Sequence, residues 1–175
     1  FAPESRLKIN LEVPATAGTR TTFTVRTQAS VSFVDATDFV LWLPVPDGTV
    51  PPGALPEIEG PPGTFSSANF TQDDNAVFVS ATEGGLYNPG PGALLVGGAS
   101  VPPRSVYWYS PVRKAGSTFV VSVNLQVPRG LLADTQYQLQ AYAQASNAQP
   151  TTKLVVAPKV TAAPSPAVFR DIGNI

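Results

Sequence analysis

The sequence predicts an all-β protein, a β-sandwich of about 7–10 strands with two long loops and an extended C-terminal tail. Three observations predict it. Thr118 to Val127 alternates strictly, with Phe119, Val121, Val123, Leu125 and Val127 on one side and Val120, Ser122, Asn124 and Gln126 on the other. Tyr137 to Ala145 repeats that period, with Tyr137, Leu139, Ala141, Ala143 and Ala145 opposite Gln138, Gln140, Tyr142 and Gln144. Successive strand side chains face opposite sides, so each stretch has one face for a core. The third observation is punctuation: 19 Pro and 14 Gly in 175 residues break the chain into short segments, and no amphipathic helix of useful length fits between them.

In chain order, Leu7, Ile9, Leu11 and Val13 alternate with Lys8, Asn10 and Glu12 as a first strand. Pro14 to Arg20 reads as a turn. Thr21 to Ala29 is a second strand with Phe23, Val25, Thr27 and Ala29 inward, and Ser30 to Val34 continues it past a kink. Asp38 to Val45 is apolar on both faces, as a central strand is. Pro44 and Pro46 end it, because proline cannot donate to a ladder. Residues 47–63 form a first long loop. Thr64 to Thr71 and Ala76 to Ala81 read as a hairpin turning at Gln72 to Asn75. Residues 84–103 form a second long loop with a short strand at Ala93 to Val96. Val106 begins the next strand, Pro128-Arg129-Gly130 links the two alternating strands, and Leu131 to Asp134 is at most one helical turn. Thr152 to Val160 is a last strand, placed at an edge by Pro158.

One sandwich domain over 1–160 suits this length, which can bury roughly 70% of the surface of the unfolded chain. Residues 161–175 are an extension. TAAPSP is a proline-stiffened spacer, and AVFRDIGNI brings Val168, Phe169, Ile172 and Ile175 to the end. Such a segment is expected to dock on its own domain or, by adding a strand to an open edge, on a neighbouring subunit.

Composition excludes several classes of function. Net charge is −1, and the 11 Lys and Arg are scattered, so there is no basic stripe for nucleic acid or for an anionic membrane surface. No apolar run approaches the ~20 residues of a membrane helix. With no His and no Cys, the usual bases, nucleophiles and soft metal ligands are missing. No nucleophile elbow, Ser-x-x-Lys or phosphate-cradling loop occurs, and nothing pairs two carboxylates for glycoside hydrolysis. The expectation is a non-enzymatic protein without cofactor or resident metal. The chain begins Phe1-Ala2-Pro3 and contains no Met, as it would after loss of a secretory signal peptide, although a truncated chain begins in the same way.

Each remaining motif has a plain structural reading. Asp73-Asp74-Asn75 offers oxygen ligands to Ca²⁺ but reads first as a turn, and Asp35 and Asp38 pose the same choice. Trp42, Tyr107, Trp108 and Tyr109 can form a sugar platform. Val106 and Trp108 share a face, however, which puts Trp108 in the core and points Tyr107 and Tyr109 outward. A Lys–Asn isopeptide bond requires a buried Lys, for which Lys8 and Lys153 are the strand residues. Asn69-Phe70-Thr71 is a glycosylation sequon that makes Asn69 an acceptor if the source cell glycosylates.

Ala17-Gly18 before Thr22-Phe23-Thr24-Val25, Leu43-Pro44 before Asp47-Gly48, Val106-Tyr107-Trp108, Ala115-Gly116 before Thr118 to Val127, and Ala143 to Asn147 together form a pattern of turns and strands. It resembles the conserved-repeat, prealbumin-like sandwich domains of bacterial and archaeal surface proteins. The likeness covers roughly residues 7–50 and 104–160, leaves out 51–103 and the tail, and carries no catalytic motif. It implies an immunoglobulin-like, Greek-key sandwich with extracellular structural or adhesive use. The resulting expectation is a self-assembling subunit of a surface filament, pilus-like fibre or surface layer, whose partners are copies of itself. Phe1, Tyr87, Leu94, Val168, Phe169, Ile172 and Ile175 are the expected apolar contacts. A viral capsid jelly roll and a carbohydrate- or host-binding adhesin module are the alternatives.

Overall fold

The computed structural model describes residues 3–46, 48–49, 76–127 and 136–161. It is all-β, with no helix among the described residues. Among the described residues, thirteen strands form two principal sheets and a small hairpin: β1 (Arg6–Glu12), β2 (Thr16–Gly18), β3 (Thr22–Ser32), β4 (Ala36–Pro44), β5 (Gly48–Thr49), β6 (Val77–Ala81), β7 (Leu86–Asn88), β8 (Leu94–Val96), β9 (Ala99–Val101), β10 (Ser105–Arg113), β11 (Thr118–Gln126), β12 (Gln136–Ala145) and β13 (Ala148–Thr161).

The four-stranded sheet runs β1-β3-β11-β6, and the larger sheet runs β2-β13-β12-β4-β10-β7 with β5 beside β12. The first order matches the A-B-E-D sheet of an immunoglobulin sandwich, and β13-β12-β4 matches G-F-C. One departure is informative. β10 lies outside β4, where a C′ strand would lie, yet it follows β6 in sequence. Between β6 and β7 the chain therefore passes from the four-stranded sheet to the larger one, which it then extends through β10.

The alternating faces account for the core. Ile9, Phe23, Val25, Val31, Phe119, Val121, Val123 and Leu125 of one sheet meet Phe39, Leu41, Leu43, Val106, Trp108, Tyr137, Leu139 and Ala141 of the other. Phe23 stacks on Tyr137 and Phe39 meets Phe119 edge-on, with centroids 6.0 and 6.1 Å apart, which is within aromatic pairing range. β4 is buried on both faces for two separate reasons. Phe39, Leu41 and Leu43 point into the sandwich. Val40 and Trp42 point away from it, and the β8–β9 hairpin covers them with Ala99 and Val101.

Two segments expected to be irregular contain strands. Within Pro14 to Arg20, β2 pairs in parallel with the end of β13, Ala17 opposite Val160. Within 84–103, β7 and β9 lie on either side of β8, the short strand expected at Ala93 to Val96. Asn88 organises that stretch. It is 2% exposed, its side-chain nitrogen lies 3.1 Å from the carbonyls of Gly92, Val101 and Pro102, and its Oδ1 accepts from Gly90 N–H. A buried amide with several partners fixes a loop that backbone pairing alone would leave unsupported.

The sandwich has two poles. Strand ends near Ser5, Ser32, Ala36, Arg113, Thr118 and Ala145 share one pole, while those near Glu12, Thr22, Pro44, Gln126, Gln136 and Thr161 share the other. The described chain enters at the first pole and leaves at the second.

Candidate interaction surface

The outer faces of the two sheets differ in chemistry. On the four-stranded sheet several outward polar groups satisfy one another. Thr24 Oγ1 donates to Asn124 Oδ1 at 2.6 Å, Asn124 Nδ2 donates to Ser80 Oγ at 2.9 Å, and Arg26 meets Glu12 at 3.3 Å. Beside these cross-strand pairs the same face exposes Val77 and Val79 of β6 and Val120 of β11.

The larger sheet turns out apolar and aromatic groups. Its registers align Leu86, Tyr107, Trp42, Tyr142 and Thr152 in one row across β7, β10, β4, β12 and β13. Trp42 and Tyr142 stack with centroids 5.3 Å apart and planes at 8°. Tyr107 is half-buried beside them. Further along β13, Leu154 and Val156 are each 49% exposed opposite Gln140 and Gln138. Leu86 and Leu95 are also exposed. β13 pairs with β12 along most of its length, but on its other edge it meets only β2 at Lys159–Thr161 and a single bridge from Ser5 to Ala148. Residues 149–158 of that edge have no partner strand among the described residues. β1 lies alongside that stretch, in line with the Ser5–Ala148 bridge at one end and the β2 pairing at the other, so the edge is flanked without being hydrogen-bonded.

Beside the start of that edge is a cleft of about 350 Å³ between β1 and β13, lined by Glu4, Arg6, Leu7, Phe33, Pro150 and Thr151 among others. Phe33 is its most unusual member. It is 68% exposed, and its φ of 76° is left-handed. For a bulky residue that conformation is an outlier of the kind found where a side chain is held for use. The Arg6 guanidinium lies 4.5 Å above the Phe33 ring, in cation–π range.

The aromatic candidates separate. Trp108 is core, 4% exposed, and its indole N–H donates to Thr82 carbonyl at 2.9 Å. Trp42 is outward but lies beneath the β8–β9 hairpin. Tyr109 is outward and 44% exposed, with its hydroxyl donating to Asp38 Oδ1 at 2.7 Å. Its ring lies against the Gly97 turn, where a Cβ would come within 2.5 Å of it. The four rings therefore form no single open platform, because Trp108 faces in and Trp42 is covered.

The Asp38 bond holds the Tyr109 hydroxyl above its ordinary pKa, with partial desolvation and the carboxylate charge adding to the effect. A raised folded pKa favours the neutral phenol. That contribution is complete below the unfolded tyrosine pKa and is lost as pH rises through the folded one. Asp38→Ala is therefore expected to lower the pH at which Tyr109 forms tyrosinate, measured by ultraviolet absorbance against Tyr109→Phe. An unmoved titration would show that the bond does not set it.

Asp35 and Asp38 hold protein groups. Asp35 accepts from Ala115 N–H at 2.9 Å and from Lys114 Nζ at 3.4 Å. The Ala115 backbone donor keeps its carboxyl below the usual range against an opposing desolvation, with Lys114 adding to the lowering. No group of three metal-ligating residues exists among the described residues. Asn147 closes the same pole, accepting from Thr37 N–H and donating to the Asp35 carbonyl. All four Lys of the sequence are exposed, so none meets the buried-Lys requirement of an isopeptide bond.

Of the expected apolar contacts, Leu94 is 40% exposed on β8. Tyr87 is a correction. It turns inward, packs on the core and stacks on Phe78 at 5.0 Å, because neighbouring Leu86 takes the outward position. Phe1, Val168, Phe169, Ile172, Ile175, Asn69 and Asp73 to Asn75 lie outside the described residues, as do most of the 47–63 loop, the first strand of the expected hairpin and residues 131–134. Phe33, Leu154 and Val156 were not singled out in the sequence. The available signal was two apolar residues two apart on a strand marked as an edge by Pro158.

No family model matches the sequence, and no curated protein matches it. Among solved structures the chain is similar to AvmM, which catalyses macrocyclization in alchivemycin A biosynthesis. The identity is 10% and the TM-score 0.49, covering 91% of this chain and 90% of that one. It is also similar to Spo0M, a sporulation control protein of Bacillus subtilis, with 8% identity and a TM-score of 0.44, covering 99% of this chain and 56% of that one. A third likeness is to the cohesin module of a family 33 glycoside hydrolase from Clostridium perfringens, with 10% identity and a TM-score of 0.41, covering 92% of this chain and 99% of that one. The class defined by the strand order and the two-sheet core is an immunoglobulin-like β-sandwich module. No helix among the described residues is long and apolar enough to cross a membrane.

Proposed function

We propose that this chain is a non-enzymatic, extracellular structural module whose work is contact with copies of itself in a cell-surface filament, pilus-like fibre or surface layer. The observation that supports the reading is the apolar outer face of the larger sheet, which carries exposed Leu154 and Val156 on β13 and exposed Leu86 on β7, surface of a kind that marks contact sites. Absence of Cys and Met suits residence in an oxidising environment, and the turn and strand motifs resemble those of surface-protein repeats.

The test is sedimentation velocity of the intact chain over a range of concentrations, with electron microscopy of the heaviest fraction. Extended fibres or sheets that grow with concentration are expected. A monomer at every concentration overturns the reading, and closed icosahedral shells would replace it with a capsid. A glycan array that binds the intact chain and loses that binding on Tyr109→Ala would replace it with an adhesin.

A further inference from the structure

We infer that this sandwich bears tension along its chain, with β13 clamped against the run from Ser5 to Gly18 so that a pull on the two ends shears the clamp rather than peeling it. This load-bearing role goes beyond self-association and does not depend on it, since a single copy holds the load.

Topology supplies the direction of load. The described chain enters at the pole of Ser5 and leaves at the pole of Thr161. β1, β2 and β13 all run from the first pole to the second. β2 pairs with β13 in parallel, and the bridge from Ser5 to Ala148 is parallel too. Equal numbers of residues separate Ser5 from Gly18 and Ala148 from Thr161, so both pairings belong to one register. Between them β1 gives its ladder to β3 while lying alongside β13. Tension draws the first run toward the entry pole and β13 toward the exit pole. The two neighbours are dragged in opposite directions along their own axes, so the bonds between them take the load together. Strands loaded at one shared pole would instead open bond by bond. The ladders of β1 with β3 and of β13 with β12 lie along the same axis and are sheared as well.

Hydrogen bonds and burial supply the resistance. At the exit pole, Lys159 N–H donates to the Ala15 carbonyl at 2.9 Å and Thr19 N–H to the Thr161 carbonyl at 3.2 Å. The Thr161 hydroxyl donates to the Ala17 carbonyl at 3.4 Å. At the entry pole, Ser5 N–H donates to the Asn147 carbonyl at 2.8 Å. One such bond alone is modest, so the resistance comes from their failing to break singly. Ala17 and Val160 face each other in the exit pairing and are both buried in the core. Buried flanks keep water from replacing the bonds one at a time, as it does where backbone bonds are exposed. Just past Gly18 the chain is tied again. Arg20 N–H donates to the Val127 carbonyl and Val127 N–H to the Thr21 carbonyl, both at 2.9 Å. β2 therefore cannot slide toward the entry pole without pulling on the strand end beyond β11.

The test is force spectroscopy on single molecules of the full chain at one loading rate, which reads the barrier to unfolding rather than the equilibrium. One geometry pulls through the two chain ends. The other pulls through handles on Glu4→Cys and Gln149→Cys, exposed positions at the entry pole whose separation peels β1 from β13. No native Cys competes for the handles. The end-to-end rupture force is expected to be at least roughly twice the peeling force, because sheared bonds fail together and so raise the barrier. Lys159→Pro removes the donor to Ala15 and is expected to cut the end-to-end force by about half while leaving the peeling force in place. Asn88→Ala lies off the force path, in the stretch of β7 to β9. It is expected to lower stability in denaturant and to leave the end-to-end force unchanged. Equal forces in the two geometries overturn the clamp. So does an end-to-end force that Lys159→Pro leaves intact, or that Asn88→Ala lowers as much as Lys159→Pro does. If Lys159→Pro fails to fold, the comparison of the two geometries decides by itself. Because single molecules are pulled, a chain that sediments as a monomer overturns self-assembly and leaves the clamp standing.

Discussion

Trp108→Ala is expected to destabilise the protein by about 3–5 kcal/mol, the range for removing a buried large aromatic side chain. The indole is 4% exposed and fills the core between the sheets, and its N–H is bonded to the Thr82 carbonyl. Gly85 packs directly on the ring: a Cβ there would lie 2.8 Å from the indole. A cavity at Trp108 therefore opens beneath the link between β6 and β7, the link that joins the two sheets on that flank. Against a typical total of about 5–15 kcal/mol, such a loss lowers the melting temperature on the order of 10 °C. Gly85→Ala tests the same contact from the other side, with overpacking expected to cost about 1–3 kcal/mol. Because the two residues touch, the double variant is expected to be less destabilised than the sum of the singles. Denaturant unfolding followed by tryptophan fluorescence and circular dichroism measures both. Strict additivity would show that Gly85 is small for another reason.

The second large effect falls on assembly rather than on stability. Leu154→Lys with Val156→Lys places two ammonium groups on an exposed apolar face, where association would have to bury them. Both side chains are half-exposed already, so the monomer is expected to keep its fold within about 0.5 kcal/mol per site. Loss of self-association without loss of structure is the expected signature. The matching control is Val77→Lys with Val79→Lys. These residues are as exposed, at 50% and 51%, but lie on β6 at the opposite flank of the four-stranded sheet.

Much of the frame was legible because it obeys one local rule. β1, β3, β11 and β12 alternate with period two, and burial follows that alternation residue by residue. β4 was legible as central because both of its faces are apolar. The cover on its second face was not, since the β8–β9 hairpin arrives from more than fifty residues away. β2 and β7 escaped for a related reason. Each is three residues long and exists through pairing with a distant strand rather than through its own pattern. Asp38 shows a third limit. Its φ of 49° shifts the alternation at the start of β4, so Ala36 is buried alongside Phe39.

The interaction surface was less legible than the core. Tyr87 was expected outside because it is an aromatic in a Pro/Gly-rich stretch, yet pairing of β7 with β10 turns it inward and sends Leu86 out. Phe33 was expected to continue a strand, but its left-handed backbone takes it out of the ladder and into solvent. No periodicity encodes either result, because each depends on which strand lies alongside.

The proposed role is tested most directly by sedimentation velocity of the intact chain beside the Leu154→Lys/Val156→Lys and Val77→Lys/Val79→Lys pairs at matched concentration. Polymers are expected from the intact chain and from the β6 pair, and a folded monomer from the β13 pair. Polymers of undiminished size from the β13 pair, or a monomer from the intact chain, would contradict assembly through the outer face of β13.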